Sequence, residues 1–178
     1  MLSRRDALEA GVRDAATARI SEEVEVLLRT LPTGAVVGLY AAKGSEVATD
    51  DIDGRARALG LRVAYPRVVD GQRRLVFAEA MIDDLVVNGR FGLREPPVGA
   101  REIPVADIGA FVVPGVAFDR GGGRIGWGRG HYDATLGAAP AAVRIGIAFE
   151  CQVLDHVPRD PHDALLHHVV TEVASYRR

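Results

Sequence analysis

The run Ile108-Gly-Ala-Phe-Val-Val113 is almost wholly apolar and is closed by Pro114, the pattern of a buried strand with a fixed end. The segment beyond that end constrains the chain more than any other stretch. Gly121, Gly122, Gly123, Gly126, Gly128 and Gly130 are interleaved with Arg124 and Arg129, ahead of Tyr132 and Asp133. Each glycine loses extra backbone entropy on folding, so such a density is kept where a backbone must approach another group closely or turn with positive φ. Two arginines in the same loop make an anion the fitting partner. Backbone N–H groups can line a phosphate while guanidiniums offer planar, paired donors. Asp133, at the far end, can hold the Mg²⁺ that accompanies a nucleotide. By composition and context the stretch reads as a phosphate loop.

Two better-known phosphate motifs fit badly. Gly121-x-Gly123-x-x-Gly126 satisfies the dinucleotide pattern, but it stands eight residues beyond the strand end and lacks the acidic residue expected about 20 positions further on. No Gly-Lys-Ser/Thr tripeptide exists to complete a Walker A loop.

Around this loop, apolar runs alternate with helical segments. Residues 3–30 read as helical with an interruption near Ser21, whose hydroxyl can cap a second segment. Ala35 to Ala41 gives the first strand, and Thr49 ahead of Asp50-Asp51 reads as the N-cap of a helix running to about Leu59. Leu61 to Ala64 is the next strand, and an Asp70-Gly71 turn between Val68-Val69 and Leu75-Val-Phe77 predicts a hairpin. Strands alternating with helices imply a mainly parallel sheet covered on both faces, with ligands beyond the carboxyl ends of its strands.

A chain of 178 residues is one domain by length, here 1–178, and is large enough for a proper core. Charges nearly cancel, 22 basic against 24 acidic, so no nucleic-acid or acidic-membrane partner is signalled and anion recognition must be local. The absence of a signal-peptide pattern or a membrane-length apolar stretch suits a small cytoplasmic enzyme. Cys151, the only cysteine, cannot form an intramolecular disulfide and reads as a small buried hydrophobe rather than a nucleophile.

The stretch from Pro114 to Asp133 resembles the signature of the 5-formyltetrahydrofolate cyclo-ligases, also called 5,10-methenyltetrahydrofolate synthetases. That signature is a strand, Pro-Gly-x-x-Phe-Asp, a short glycine-rich spacer, and Arg-Leu-Gly-x-Gly-Lys/Arg-Gly-Tyr-Tyr-Asp. The likeness extends downstream to Ile145-Gly-Ile-Ala-Phe-Glu150, Gln152, Pro158, His162-Asp163 and Val169-Val-Thr-Glu172. Upstream it takes in Gly44-Ser-Glu46-Val-Ala-Thr49, Tyr65-Pro66 and Phe91-Gly-Leu-Arg-Glu95-Pro96. These blocks fall in family order from about Val36 to Glu172. The resemblance implies a three-layer α/β/α sandwich with a mainly parallel sheet. It also implies ATP- and Mg²⁺-dependent cyclisation of 5-formyltetrahydrofolate to 5,10-methenyltetrahydrofolate, with release of ADP and phosphate. A diverged member acting on another formamide-like substrate, or a folate- or nucleotide-binding regulator, are the alternatives. Oligomeric state stays open between monomer and dimer.

Carried over position by position, the resemblance makes Arg124, Ile125, Gly126, Trp127, Gly128, Arg129, Gly130, His131 and Tyr132 the ATP-binding stretch. Arg124 and Arg129 are the expected phosphate contacts and catalytic cations. Asp133 and Asp163 match the carboxylates that bind Mg²⁺, and Glu46 matches a glutamate that contacts the pterin, where a carboxylate suits adjacent N–H donors. Trp127, His131 and Tyr132 border the expected reduced-folate pocket, where Trp127 and Tyr132 either line it or simply pack.

Two departures stand out. Family members usually carry a Lys and an Arg four apart on the first helix, reaching the nucleotide phosphates. Arg4 and Arg5 can supply the first, and Arg5 is the expected ligand, but the region of the second, near Glu9 and Ala10, carries no base. Arg13, over two helical turns on, lies roughly on the face of Arg5. The other departure is His131, where the family has the first tyrosine of Gly-Tyr-Tyr-Asp; it keeps a flat ring but brings a titratable one.

Overall fold

In the computed structural model, which describes residues 1–88 and 92–178, the apolar run Ile108–Val113 is a strand at the middle of a mixed sheet. Helices α1 (Leu2–Asp6) and α2 (Ala10–Leu28) open the chain, and β1 (Val36–Gly38), α3 (Asp50–Ala58), β2 (Arg62–Arg67) and β3 (Val76–Glu79) come next. A hairpin of β4 (Val86–Asn88) and β5 (Leu93–Glu95) precedes β6 (Glu102–Ile103) and β7 (Ile108–Val113). Strands β8 (Ala117–Asp119) and β9 (Arg124–Ile125) lead into α4 (His131–Gly137). The chain ends with β10 (Val143–Ile147), β11 (Val153–Leu154), β12 (His168–Val170) and β13 (Ser175–Arg177).

The main sheet runs β13-β12-β10-β7-β1-β2-β3-β6. Its centre, β12-β10-β7-β1-β2, is parallel, and antiparallel strands finish both margins. Successive side chains of β7 serve opposite faces. Ala110 and Val112 join Ile20 and Val24 of α2 and Ile52 of α3 in one core, while Phe111 and Val113 meet Phe118, Leu136 and Leu166 in the other. Burial on both faces is why this strand reads as a nearly unbroken apolar run. Each large apolar side chain so buried stabilises the fold by roughly 1.5–3 kcal/mol before entropy is counted.

The expected α/β/α layering is present, with unequal layers. Helices α2 and α3 cover one face. The other is covered by the short α4 and a small sheet in the order β11-β8-β9, because the chain between β7 and α4 is spent on the glycine-rich segment.

The N-terminus corrects the sequence reading. Helix α2 runs straight through Ser21, and the break falls earlier, with Glu9 extended at φ −62° and ψ 149°. Ser21 is buried and its hydroxyl has no hydrogen-bond partner among the described residues. Ile20, Val24 and Leu28 continue one buried stripe across it, so tertiary packing outweighs the capping tendency of serine. Thr49 precedes α3 as expected but does not cap it with its side chain; its hydroxyl donates to the Tyr40 carbonyl at 2.5 Å. The predicted hairpin forms between β2 and β3, with Gly71 in the left-handed region. Phe91, which opens one block of the family resemblance, lies outside the described residues.

Candidate active site

From β1 the chain moves to β2 on one side, and from β7 it moves to β10 on the other. Loops leaving two neighbouring parallel strands in opposite directions open a crevice at their carboxyl ends. A cavity of about 1080 Å³ lies at this point, reached by Tyr40 after β1, Pro66 and Val68 at the end of β2, and Pro114 after β7.

Every site residue expected from the sequence lines this cavity. Arg5 comes from α1, Glu46 from the loop after β1, Arg124 and Ile125 from β9, and Gly126, Trp127, Gly128, Arg129 and Gly130 from the segment before α4. His131, Tyr132 and Asp133 form the first turn of α4, and Asp163 arrives from the turn before β12.

Arg124 is the best-defined member. Its side chain is 6% exposed, and its Nη2 donates to Asp133 Oδ1 at 3.0 Å. Its guanidinium sits 5.6 Å from the centre of the Tyr132 ring. The Arg124 Nε and the Tyr132 hydroxyl are both buried without a hydrogen-bond partner among the described residues. Unsatisfied polar atoms in a native site call for a partner of complementary polarity, such as a bound ligand. Burial pushes the Tyr132 hydroxyl well above its ordinary pKa despite the nearby Arg124 cation, so it stays a protonated donor.

Arg5, also on the cavity lining, is 5% exposed and donates through Nε to Ser45 Oγ at 2.9 Å. Ser45 in turn donates to Asp6, which fixes α1 against the loop after β1. Glu46 accepts the Lys43 backbone N–H at 2.9 Å. Burial raises the Glu46 carboxyl, while the Lys43 N–H and Arg5 pull it down by less. Arg13 does not join this group: it turns back to donate to the Leu8 carbonyl at 2.5 Å.

The glycines divide into two groups, which corrects the reading of one continuous phosphate loop. Gly126, Gly128 and Gly130 line the cavity, but Gly121, Gly122 and Gly123 do not. A side chain at Gly126 would place Cβ 2.7 Å from Arg124 Nη1, so glycine there leaves room for the guanidinium. The first three glycines wrap a buried carboxylate instead. Asp119 accepts backbone N–H groups from Gly121, Gly123 and Val157, each at 2.9 Å, and Arg159 Nη2 at 2.7 Å. Burial by itself would raise the Asp119 carboxyl, but Arg159 and the backbone donors outweigh it and hold it at about 2. Gly122, at φ +83°, packs so tightly on Leu166 that a Cβ would fall 2.3 Å from the Leu166 carbonyl oxygen. This knot is a scaffold under β8 and β9. Asp119 belongs to the Phe-Asp of the signature, but its structural role has no separate mark in the sequence.

The donor set suits Mg²⁺. Asp133, Asp160 and Asp163 all reach the cavity with hard oxygen donors. Asp133 Oδ1 also accepts the Ala164 N–H at 3.4 Å, which joins the Asp160–Ala164 turn to α4. Asp163 Oδ2 accepts the Asp160 N–H at 2.8 Å and so also stabilises its own turn. No cluster of three or more acidic, imidazole or thiol groups forms among the described residues. Two carboxylates completed by phosphate oxygens and water are ordinary for this ion.

The His131 Nδ1 lies 2.9 Å from the Arg73 carbonyl, tying α4 to the β2–β3 hairpin. Cys151 is half-buried against the core, and burial raises its thiol. No helix among the described residues is long and apolar enough to cross a membrane.

A mixed sheet, parallel at its centre, with an arginine- and carboxylate-lined crevice at its switch point defines an open α/β protein. Over residues 1–172 the chain matches the 5-formyltetrahydrofolate cyclo-ligase family, and it belongs to that family. It is 42% identical over 90 residues to the 5-formyltetrahydrofolate cyclo-ligase of Mycolicibacterium smegmatis, covering 48% of this chain and 45% of that one. The chain thus spans about half the length of the curated relatives it first matches. Among solved structures it resembles the 5,10-methenyltetrahydrofolate synthetase of Aquifex aeolicus, at TM-score 0.76 and 29% identity over 99% of this chain and 88% of that one. The enzyme of the same name from Mycoplasma pneumoniae, at TM-score 0.77 and 22% identity over 96% and 93% of the two chains, shares the fold.

Proposed function

We propose that this chain is an ATP- and Mg²⁺-dependent ligase that closes 5-formyltetrahydrofolate to 5,10-methenyltetrahydrofolate, releasing ADP and phosphate. The observation that carries the proposal is the buried Arg124, with an unpartnered Nε and a 3.0 Å contact to Asp133, on a cavity that also holds Glu46 and Arg5. Family membership supplies the substrate.

The formyl group on N5 is an amide, and its oxygen leaves poorly. Phosphorylation of that oxygen lets N10 of the same molecule attack the formyl carbon as phosphate departs, and N10 gives up its proton. Because both reacting nitrogens belong to one molecule, much of the positioning is intrinsic to the substrate. The work left for the protein is to align phosphate with formyl oxygen and to neutralise charge on the moving group. Arg124 and Arg129 serve the phosphates, with Arg5 approaching from α1. Asp133 and Asp163 hold Mg²⁺, which when bound offsets the charge of the phosphate oxygens. Glu46 receives the N–H edge of the pterin, and Trp127 and Tyr132 offer ring surfaces beside it.

Growth of methenyl-product absorbance from 5-formyltetrahydrofolate, run with and without Mg-ATP, tests this directly. Product that appears only with Mg-ATP is the expected result. Mg-ATP binding without product formation would favour a diverged member acting on another formamide-like substrate. The altered cation pattern of the N-terminus, with Arg13 turned away from the cavity, is the feature that favours that second reading.

A further inference from the structure

A buried carboxylate on the cavity wall has no part in the roles above. Glu95, at the end of β5, is 5% exposed yet lines the cavity. Its Oε1 accepts the Val68 backbone N–H at 3.0 Å, which ties the β4–β5 hairpin to the end of β2. No Arg or Lys among the described residues forms an ion pair with it. Arg94 donates to the Ile82 carbonyl at 2.5 Å, Arg67 donates to the Pro97 carbonyl at 3.1 Å, and Arg101 pairs with Glu79 at 3.8 Å. Glu95 Oε2 has no hydrogen-bond partner among the described residues, and it is not among the polar atoms sealed away from solvent. The open space beside it is the cavity.

A carboxylate this buried, with no cation paired to it among the described residues, is costly unless its remaining lone pairs are satisfied. A tie to one backbone N–H needs only a neutral acceptor, which glutamine supplies. The negative charge and the second oxygen are therefore surplus to the structural task. Pro66, Val68 and Leu93 supply apolar surface on the same wall, which suits the flat body of a heterocycle rather than a triphosphate.

We infer that Glu95 is a second substrate-recognition carboxylate, whose Oε2 accepts an N–H donor of the bound folate's ring system while Oε1 holds the Val68 N–H. With Glu46 also lining the cavity, the heterocycle is gripped by acceptors from two separate segments. A ligand with acceptors in place of N–H groups would meet two carboxylates and be rejected, since an unpaired buried polar group discriminates strongly. This inference rests on the folate reading of the cavity.

The test is calorimetric titration of wild type and Glu95→Gln, separately with 5-formyltetrahydrofolate and with Mg-ATP. Glutamine keeps an acceptor for Val68 but loses the charge. Folate affinity should fall by about 10- to 100-fold, the range for a hydrogen bond to a charged group, with Mg-ATP affinity unchanged. Equal folate affinities would overturn the role of Glu95, and so would parallel losses for both ligands. A wild-type protein that binds no 5-formyltetrahydrofolate would overturn the proposed function instead. If Glu95→Gln fails to fold, carbodiimide labelling of the wild-type protein decides the matter by peptide mass. Glu95 should be modified in the free protein and shielded by 5-formyltetrahydrofolate but not by Mg-ATP; no labelling, or no shielding, would refute the inference.

Discussion

Arg124 and Asp133, the expected phosphate ligand and the expected metal ligand, are paired with each other at 3.0 Å. Both are therefore held in place before any ligand arrives. The guanidinium keeps further donors for a phosphate, because its Nε has no partner among the described residues. Pre-ordering of this kind lowers the entropy spent on binding.

Arg124→Ala should accordingly weaken Mg-ATP binding by about 1.5–3 kcal/mol, the range for a charge-assisted contact. Calorimetry reads the change, and circular dichroism checks that the fold survives loss of the packing against Tyr132. An unchanged affinity in a folded variant would remove Arg124 from the nucleotide site.

Asp133→Asn keeps an oxygen for Arg124 Nη2 and for the Ala164 N–H but removes the charge a metal needs. Turnover should be mostly lost, with the thermal midpoint little changed, because Asp133 is 28% exposed and not a core side chain. Normal turnover at limiting Mg²⁺ would show that Asp133 is not a ligand.

How much of the molecule is legible in the sequence depends on what fixes each feature. The β7 run is readable because its burial on both faces is local and continuous, and the grouping of the candidate residues on one cavity because they sit in compact blocks near the carboxyl ends of parallel strands. Ser21 misleads because its capping tendency is local, whereas the stripe of Ile20, Val24 and Leu28 that overrides it acts through α3 and the sheet. The glycine-rich stretch misleads for a related reason. Glycine density signals close backbone approach but not to what, and Gly121–Gly123 approach Asp119 and Leu166 rather than a ligand. Glu95 carries no role that its sequence block reveals, since only the folded chain shows a carboxylate with one oxygen used and the other at the cavity.

Gly122→Ala tests the scaffold reading of that first glycine group. The added methyl would fall 2.3 Å from the Leu166 carbonyl oxygen in a left-handed backbone conformation. Both the clash and the strain act, so destabilisation of roughly 2–4 kcal/mol is expected in urea unfolding. Mg-ATP affinity of the still-folded fraction should be nearly unchanged, because Gly122 is not on the cavity. A stable variant with lost nucleotide binding would instead return Gly122 to the phosphate loop.

Acid should weaken the fold through Asp119. Burial opposes ionisation of this carboxyl, yet Arg159 and the N–H groups of Gly123 and Val157 win and hold it at about 2, below the ordinary 3.8. A depressed carboxyl contributes stability that is fully present above the ordinary value and is lost as pH falls through the folded value. The window is therefore between about pH 4 and pH 2, and a shift of this size corresponds to about 2 kcal/mol. Asp119→Asn, neutral at every pH, should be less stable than wild type by at least that amount at about pH 7. The gap should narrow by about 2 kcal/mol as the pH is lowered through the window, because protonated Asp119 and asparagine are then both uncharged opposite Arg159. Urea unfolding of the two proteins at a series of pH values from neutral down through the window measures the gap. A gap that stays constant across the series would mean that Asp119 is not the charged centre of the knot, and that the glycines around it are held by something else.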